Sequence, residues 1–178
     1  MSDTRNPQAG DVLVAHPKTP QSPWSKTVVV LTEVNANGCV GLIINKSAGY
    51  AFSDCIAVEN SALNPEIYVG GPVNRSALVM LHSNEWYSQN TMQIGRGMAI
   101  SSDPVMVEKL SEGNDPMDYR LMAGCCGWGK GQLETELKRK HGWLTMPGDP
   151  HYLLKHPTDD LWQRVVGLYS QNWVNTYF

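Results

Sequence analysis

Two apolar runs flank an asparagine–glycine pair near the start of the chain, and no other feature narrows the fold as much. Residues 27–32 read TVVVLT, residues 39–45 read CVGLIIN, and Asn37-Gly38 lies between them. Short β-branched runs fit strands, and Asn-Gly reaches positive φ at little cost, so a hairpin is predicted. Residues 12–15 (VLVA) read as another buried strand, ended by His16-Pro17 and followed by the loop KTPQSPWS. Residues 67–69 and 77–81 are two more, joined through Gly70-Gly71-Pro72, and residues 119–123 a further one. Residues 92–100 alternate with period two, which puts Met92, Ile94, Met98 and Ile100 on one face. Arg96 falls on that apolar face by count. A strand edge or a bulge at Gly95 or Gly97 is expected to turn it outward, because a buried guanidinium needs a partner.

Helical patterns come later. Ser102 is the expected cap of a helix with Pro104 in its first turn and Gly113 past its end. Residues 132–141 form a second helix: Leu133 and Leu137 share a face, Glu134→Lys138 and Glu136→Lys140 are favourably ordered pairs, and Gly142 stops it. A last helix starts near Thr158-Asp159-Asp160, with Leu161, Trp162, Val165, Val166 and Tyr169 as its apolar stripe. Hairpins early and helices late predict an α+β fold with a mixed or mainly antiparallel sheet, the helices after residue 100 covering one face. A chain of 178 residues suits one domain, with 1–9 and 170–178 as tails.

The formal net charge of −3 offers no general attraction to nucleic acid. The one dense basic run, Lys138-Arg139-Lys140, suits a helix end, and a DNA-binding face needs more cations than that. Direct DNA binding is therefore not expected. Residues 1–10 are polar and lack a signal peptide's apolar core, and the longest apolar runs, 28–31 and 42–44, are too short to cross a bilayer. Cys39, Cys55, Cys125 and Cys126 show no C-x-x-C spacing, so a reducing cytoplasm is the expected location.

The stretch GCCGWGKGQLETEL, residues 124–137, carries the densest chemistry. Gly124 to Lys130 fits G-x-x-x-x-G-K, but the next position is Gly131, which has no hydroxyl for Mg²⁺. A dinucleotide fingerprint fails at Gln132. A weaker function survives: N–H groups at a helix start, with Lys130, can attract an anion. The alternative is that the glycines allow close backbone packing and Trp128 fills the gap. Cys125 or Cys126 near a helix N-terminus would gain thiolate character, with His82 as a candidate base; adjacent small cysteines are equally suited to filling a core. Gly70-Gly71-Pro72 can form an anion nest or a tight turn. The five histidines form no metal motif, and no metal or cofactor is implied.

Taken in order, GDVLVAHP, SKTVVVLTE, GCVGLIINK, YVGGPV with LVMLHS, GWGKGQLETEL and HGWL resemble the AlgH/YqgE family over residues 10–168. The resemblance implies a single α+β domain, bacterial and cytoplasmic, of undetermined biochemical activity, under a family label of transcriptional regulator. It brings no catalytic residues. Positions matching its motifs are Asn45, Gly70, Gly71, Pro72, His82, Gly127, Trp128, Gly131, Gln132, Leu133 and Glu134. Cys125 and Cys126 depart from the family's usual G-Y-A-G-W, Lys130 stands where a small residue is usual, and Ser47 replaces a frequent proline. The expectation is a non-enzymatic regulatory or binding domain, with a cleft built from Gly70, Gly71, His82, Trp128, Lys130, Gln132 and Glu134. Its partner would be a protein or a small anionic ligand. The alternative is a thiol-dependent enzyme using Cys125 or Cys126.

Overall fold

The structure, a computed structural model, describes residues 5–57, 63–155 and 158–177, with 172–177 described by backbone alone. Ten strands form one curled sheet: β1 (Asp11–Ala15), β2 (Val28–Asn35), β3 (Gly38–Ile43), β4 (Ser47–Ala51), β5 (Glu66–Val69), β6 (Val73–Ser83), β7 (Met92–Ile94), β8 (Met98–Ser101), β9 (Tyr119–Gly129) and β10 (Trp143–Pro147). The helices are α1 (Phe52–Cys55), α2 (Pro104–Ser111), α3 (Gln132–Leu137), α4 (Pro150–Lys155) and α5 (Leu161–Tyr177). Strand order is β10-β1-β2-β3-β9-β6-β8-β7, and β5, carrying β4 on its outer edge, also pairs with β9. The β5–β9 pairing is parallel, and the other pairings are antiparallel. This is the α+β fold with a mainly antiparallel sheet that the pattern of runs predicts.

The early apolar runs are continuous because β1 and β2 are covered on both faces. Val12, Val14, Val28 and Val30 pack with Leu153, Leu154, Leu161 and Val165 of α4 and α5. The alternate residues Leu13, Val29 and Leu31 pack with Trp128 and with Leu133 of α3. Period two thus divides one apolar run between two cores. The expectation that the later helices share one face is corrected on this point. A third core joins Phe52 of α1 to Met106 and Leu110 of α2 around Ile67, Met80 and Leu121.

Several local expectations shift by a residue or more. The β2–β3 hairpin pairs Asn35 with Gly38, so its connection is Ala36-Asn37 and the positive φ belongs to Gly38. Residues 92–100 are a hairpin of β7 and β8, not one strand; Gly95-Arg96-Gly97 is its turn and Arg96 is exposed. Asp103, not Ser102, caps α2: its carboxylate accepts from the Met106 N–H at 2.9 Å, with Pro104 in the first turn. Helix α3 stops at Leu137, so Lys138 to Lys140 lie at or beyond its end and no ion pair links Glu136 to Lys140 among the described residues. Helix continues through residues 170–177, which the sequence pattern sets aside as a tail.

Candidate functional site

Most of the glycine-rich stretch is strand. β9 runs from Tyr119 through Gly129, so Gly124 to Gly129 are strand backbone, paired from Cys125 onward, and only Lys130-Gly131 turn into α3. The reason lies across the sheet. β5 pairs with one edge of β9 and β6 with the other, so the connection Gly70-Gly71-Pro72 must cross over β9. It crosses at Gly124. A methyl at Gly70 would run into the Gly124 carbonyl, one at Gly71 into the Cys125 carbonyl, and one at Gly124 would lie 2.5 Å from the Gly71 oxygen. The Gly70 N–H donates to Ala123 O at 2.9 Å, and Gly70 O accepts from the Ile43 N–H at 2.8 Å. That N–H is therefore spent on the strand rather than held out to an anion.

A cleft of about 500 Å³ opens where β9 leaves the crossing. Trp24, Trp128 and Trp143 line it. Trp143 meets Trp24 edge-on at 6.3 Å and Trp128 edge-on at 6.4 Å, which makes three sides of an aromatic box. Glu136 holds the box together. Its Oε2 accepts from Trp128 Nε1 at 3.0 Å and from Trp143 Nε1 at 2.9 Å, while its Oε1 accepts from Gln132 Nε2 at 3.2 Å. Gln132 reaches back through Oε1 to the Gly129 N–H, tying the start of α3 to the end of β9. The loop bearing Trp24 is fixed from the residues that follow β3: Asn45 Oδ1 accepts from the Val28 N–H, its Nδ2 donates to Lys26 O, and Lys46 Nζ donates to Pro23 O. Thr19 Oγ1 donates to His141 O at 3.2 Å, which joins this loop to the far wall.

A family model described as AlgH-like matches residues 12–173. The chain belongs to the AlgH-like family. It is 29% identical over 163 residues to a UPF0301 protein of Methylococcus capsulatus, covering 89% of each chain. It is 28% identical over 173 residues to a UPF0301 protein of Xanthomonas oryzae pv. oryzae, covering 94% of this chain and 92% of that one. Among solved structures it is similar to the solution structure of the AlgH protein from Pseudomonas aeruginosa, with a TM-score of 0.75, 27% identity and coverage of 94% and 92%. A crystal structure from Corynebacterium diphtheriae, at 22% identity and a TM-score of 0.76, shares the fold.

Set on this AlgH-like fold, the sequence candidates separate. Trp128 and Gln132 line the cleft; Lys130 and Glu134 are exposed outside it, and Gly70 and Gly71 are buried at the crossing. His82 is buried on β6 in another core, with Trp86 edge-on at 5.2 Å. The seven candidates therefore do not share one cleft. Cys125 and Cys126 sit within β9, not at a helix start. Burial pushes the Cys126 thiol up to about 12, the neighbouring Cys125 adding to it, and Cys126 Sγ donates to Gly70 O at 3.4 Å. Burial also raises Cys125. Both hold their protons near neutral pH, the reverse of an activated thiolate.

The sequence pattern misses Trp24, Trp143, Glu136, Arg139 and His141, all of which line the cleft. One signal for Glu136 is present: it stands four residues after Gln132, on the same helical face. A tryptophan in the polar loop KTPQSPWS is the other. Among the described residues no group of three or more His, Cys, Asp or Glu is placed to hold a metal, and no helix is long and apolar enough to cross a membrane.

Proposed function

We propose that this AlgH-like chain is a cytoplasmic, non-enzymatic binding domain whose working site is the tryptophan cleft. The reading rests on one observation: a single carboxylate, Glu136, ties down the indoles of Trp128 and Trp143 at the wall of an open cavity. A satisfied hydrogen-bond network in the wall fixes the rings in place, and a preformed aromatic surface with few polar groups is what a small planar ligand needs. Arg139 and His141 at the rim favour an anionic substituent on that ligand. A regulatory role, in keeping with the family's label, would then follow from ligand occupancy or a protein partner rather than from direct DNA contact. The raised thiols of Cys125 and Cys126 weigh against the thiol-enzyme reading.

The test is a screen of small aromatic acids read by tryptophan emission and by the indole N–H signals of Trp24 and Trp128. Binders should move both signals saturably. Glu136→Gln keeps the shape but weakens two charge-assisted hydrogen bonds, so it should loosen affinity about tenfold while the fold survives. A screen in which no compound moves either indole, or in which Glu136→Gln binds as tightly as the wild type, defeats the cleft reading.

A further inference from the structure

Behind the cleft lies a second cavity, of about 320 Å³, sharing Arg139, Gly142 and Trp143 with it as a common wall. Its charged lining is of one sign. Lys138, Arg139, Lys140 and His16 line it together with Thr145 and Tyr169, and no Asp or Glu is among its lining residues. His16 and His141 face each other across the wall, with ring centroids 4.9 Å apart. His16 Nδ1 accepts the Lys18 N–H at 3.0 Å, so the neutral ring carries its proton on Nε2 and remains a donor.

The ordinary role for Lys138-Arg139-Lys140 is to complement the end of a helix. Here that role is only partly open to them. α3 ends at Leu137, leaving Arg139 and Lys140 past its cap. Of the α3 acids, Glu136 is committed to two indoles and Gln132, and Glu134 makes no ion pair with Lys138 among the described residues. None of the three cations makes an ion pair among the described residues. Three adjacent positive charges around a concavity repel one another, and an anion held there relieves that repulsion, with the His16 imidazole as a further donor. An arginine fork beside lysines suits a tetrahedral group with several acceptor oxygens better than it suits a single carboxylate.

We propose that this cavity is a binding site for a small phosphoryl anion, held by Lys138, Arg139, Lys140 and His16. A small anion is favoured over a nucleic-acid backbone because the cations line a pocket rather than a track, on a chain whose net charge is −3. The site shares Arg139 with the cleft but does not rest on the cleft reading, and Lys138, Lys140 and His16, which line it and not the cleft, allow a separate test.

The experiment is a titration of the full chain with inorganic pyrophosphate at low ionic strength, followed by backbone amide signals. Saturable shifts confined to residues 16–18 and 138–145 are expected at millimolar concentration. Lys138→Gln with Lys140→Gln should weaken binding at least about tenfold, since each removes a charge-assisted contact. Both side chains are exposed, so the fold should keep its dispersed spectrum. Arg75→Gln, an exposed cation on β6 that lines neither cavity, should bind as the wild type does. Absence of saturable shifts overturns the proposal, as does undiminished binding by the double variant. Shifts produced by a single-stranded oligonucleotide but not by pyrophosphate also overturn it, and mark a polyanion surface instead. The indoles of Trp24 and Trp128 line only the cleft, so a silent cleft and a silent anion cavity are distinguishable.

Discussion

The proton on His82 is placed by its neighbours. Nδ1 lies 2.8 Å from Ser83 O, a pure acceptor, so Nδ1 must donate. Nε2 then accepts from Ser101 Oγ at 2.8 Å, and Ser101 in turn accepts from Thr91 Oγ1 at 2.7 Å. Thr91 Oγ1 accepts the Ser88 N–H at 2.7 Å, and Ser88 Oγ donates to Asp103 Oδ2 at 2.5 Å. A second proton on His82 would force the Ser101 and Thr91 hydroxyls to reverse, leaving Thr91 Oγ1 only the 3.3 Å contact to Ser88 Oγ for its own proton. Burial holds His82 below its ordinary 6.5, against the opposing pull of the Ser83 carbonyl and Glu85. Below about pH 6.5 the unfolded chain therefore takes up a proton that the folded chain refuses, so stability is intact above that pH and falls as pH drops. The slope contributed by one such group reaches at most about 1.4 kcal/mol per pH unit. His16, lowered by burial and then by His141 and Lys18, acts in the same direction. Urea unfolding at about pH 7.5 and about pH 5.5, above the carboxylate range, should show the loss, and His82→Gln should remove its share of it. An unchanged pH dependence in that variant would show that the histidine is not held neutral.

At the scale of elements, β9 explains why the glycine-rich stretch misleads. In sequence, Gly124, Gly127, Gly129 and Gly131 look like one loop. In space they serve separate ends: Gly124 admits the crossing connection, while Gly131 alone turns into α3 with φ 74°. The crossing partner, Gly70-Gly71, lies far back in the chain, so no local pattern could have announced it. Gly70→Ala would force a methyl into the Gly124 carbonyl, a backbone clash that must move a strand, and should cost about 3 kcal/mol or more. Gly131→Ala meets nothing within 4 Å and pays only for its left-handed φ, about 1–2 kcal/mol. Chemical unfolding of the two variants should keep that order; the reverse order would remove the crossing as the cause. Strands bounded by their own turn residues were legible for the opposite reason: the Asn37-Gly38 hairpin carries its signal locally. The cap of α2 was half legible, since Ser102 and Asp103 are both good caps and either puts Pro104 in the first turn; only the preference of proline for the very first helical position selects Asp103.

Across the whole molecule, the sheet is two pairing systems joined through one strand. β9 pairs with β6 and β5 along its first half and with β3 along its second. The fold class was legible because apolar runs and helical stripes report burial directly. The cleft was not, because its walls come from β9, α3, the 19–24 loop and the residues leading into β10, which meet only through tertiary packing. That assembly also divides the cleft by rigidity. Trp128 is buried on the half of β9 that pairs with β3, close after residues 121–123, which are paired along both edges and open only with the whole fold. Trp24 stands on an irregular loop, and Trp143 on β10, an edge strand paired only with β1. Hydrogen exchange should therefore find residues 121–123 the slowest, with residues 19–26 and 138–147 exchanging through local opening. A ligand in the cleft closes the yielding wall onto the rigid one. It should slow exchange at 19–26 and 138–147 by more than the uniform slowing that ligand-raised global stability gives the amides of 121–123. Slowing confined to another part of the sheet, such as β7 and β8, would move the binding site away from the tryptophans.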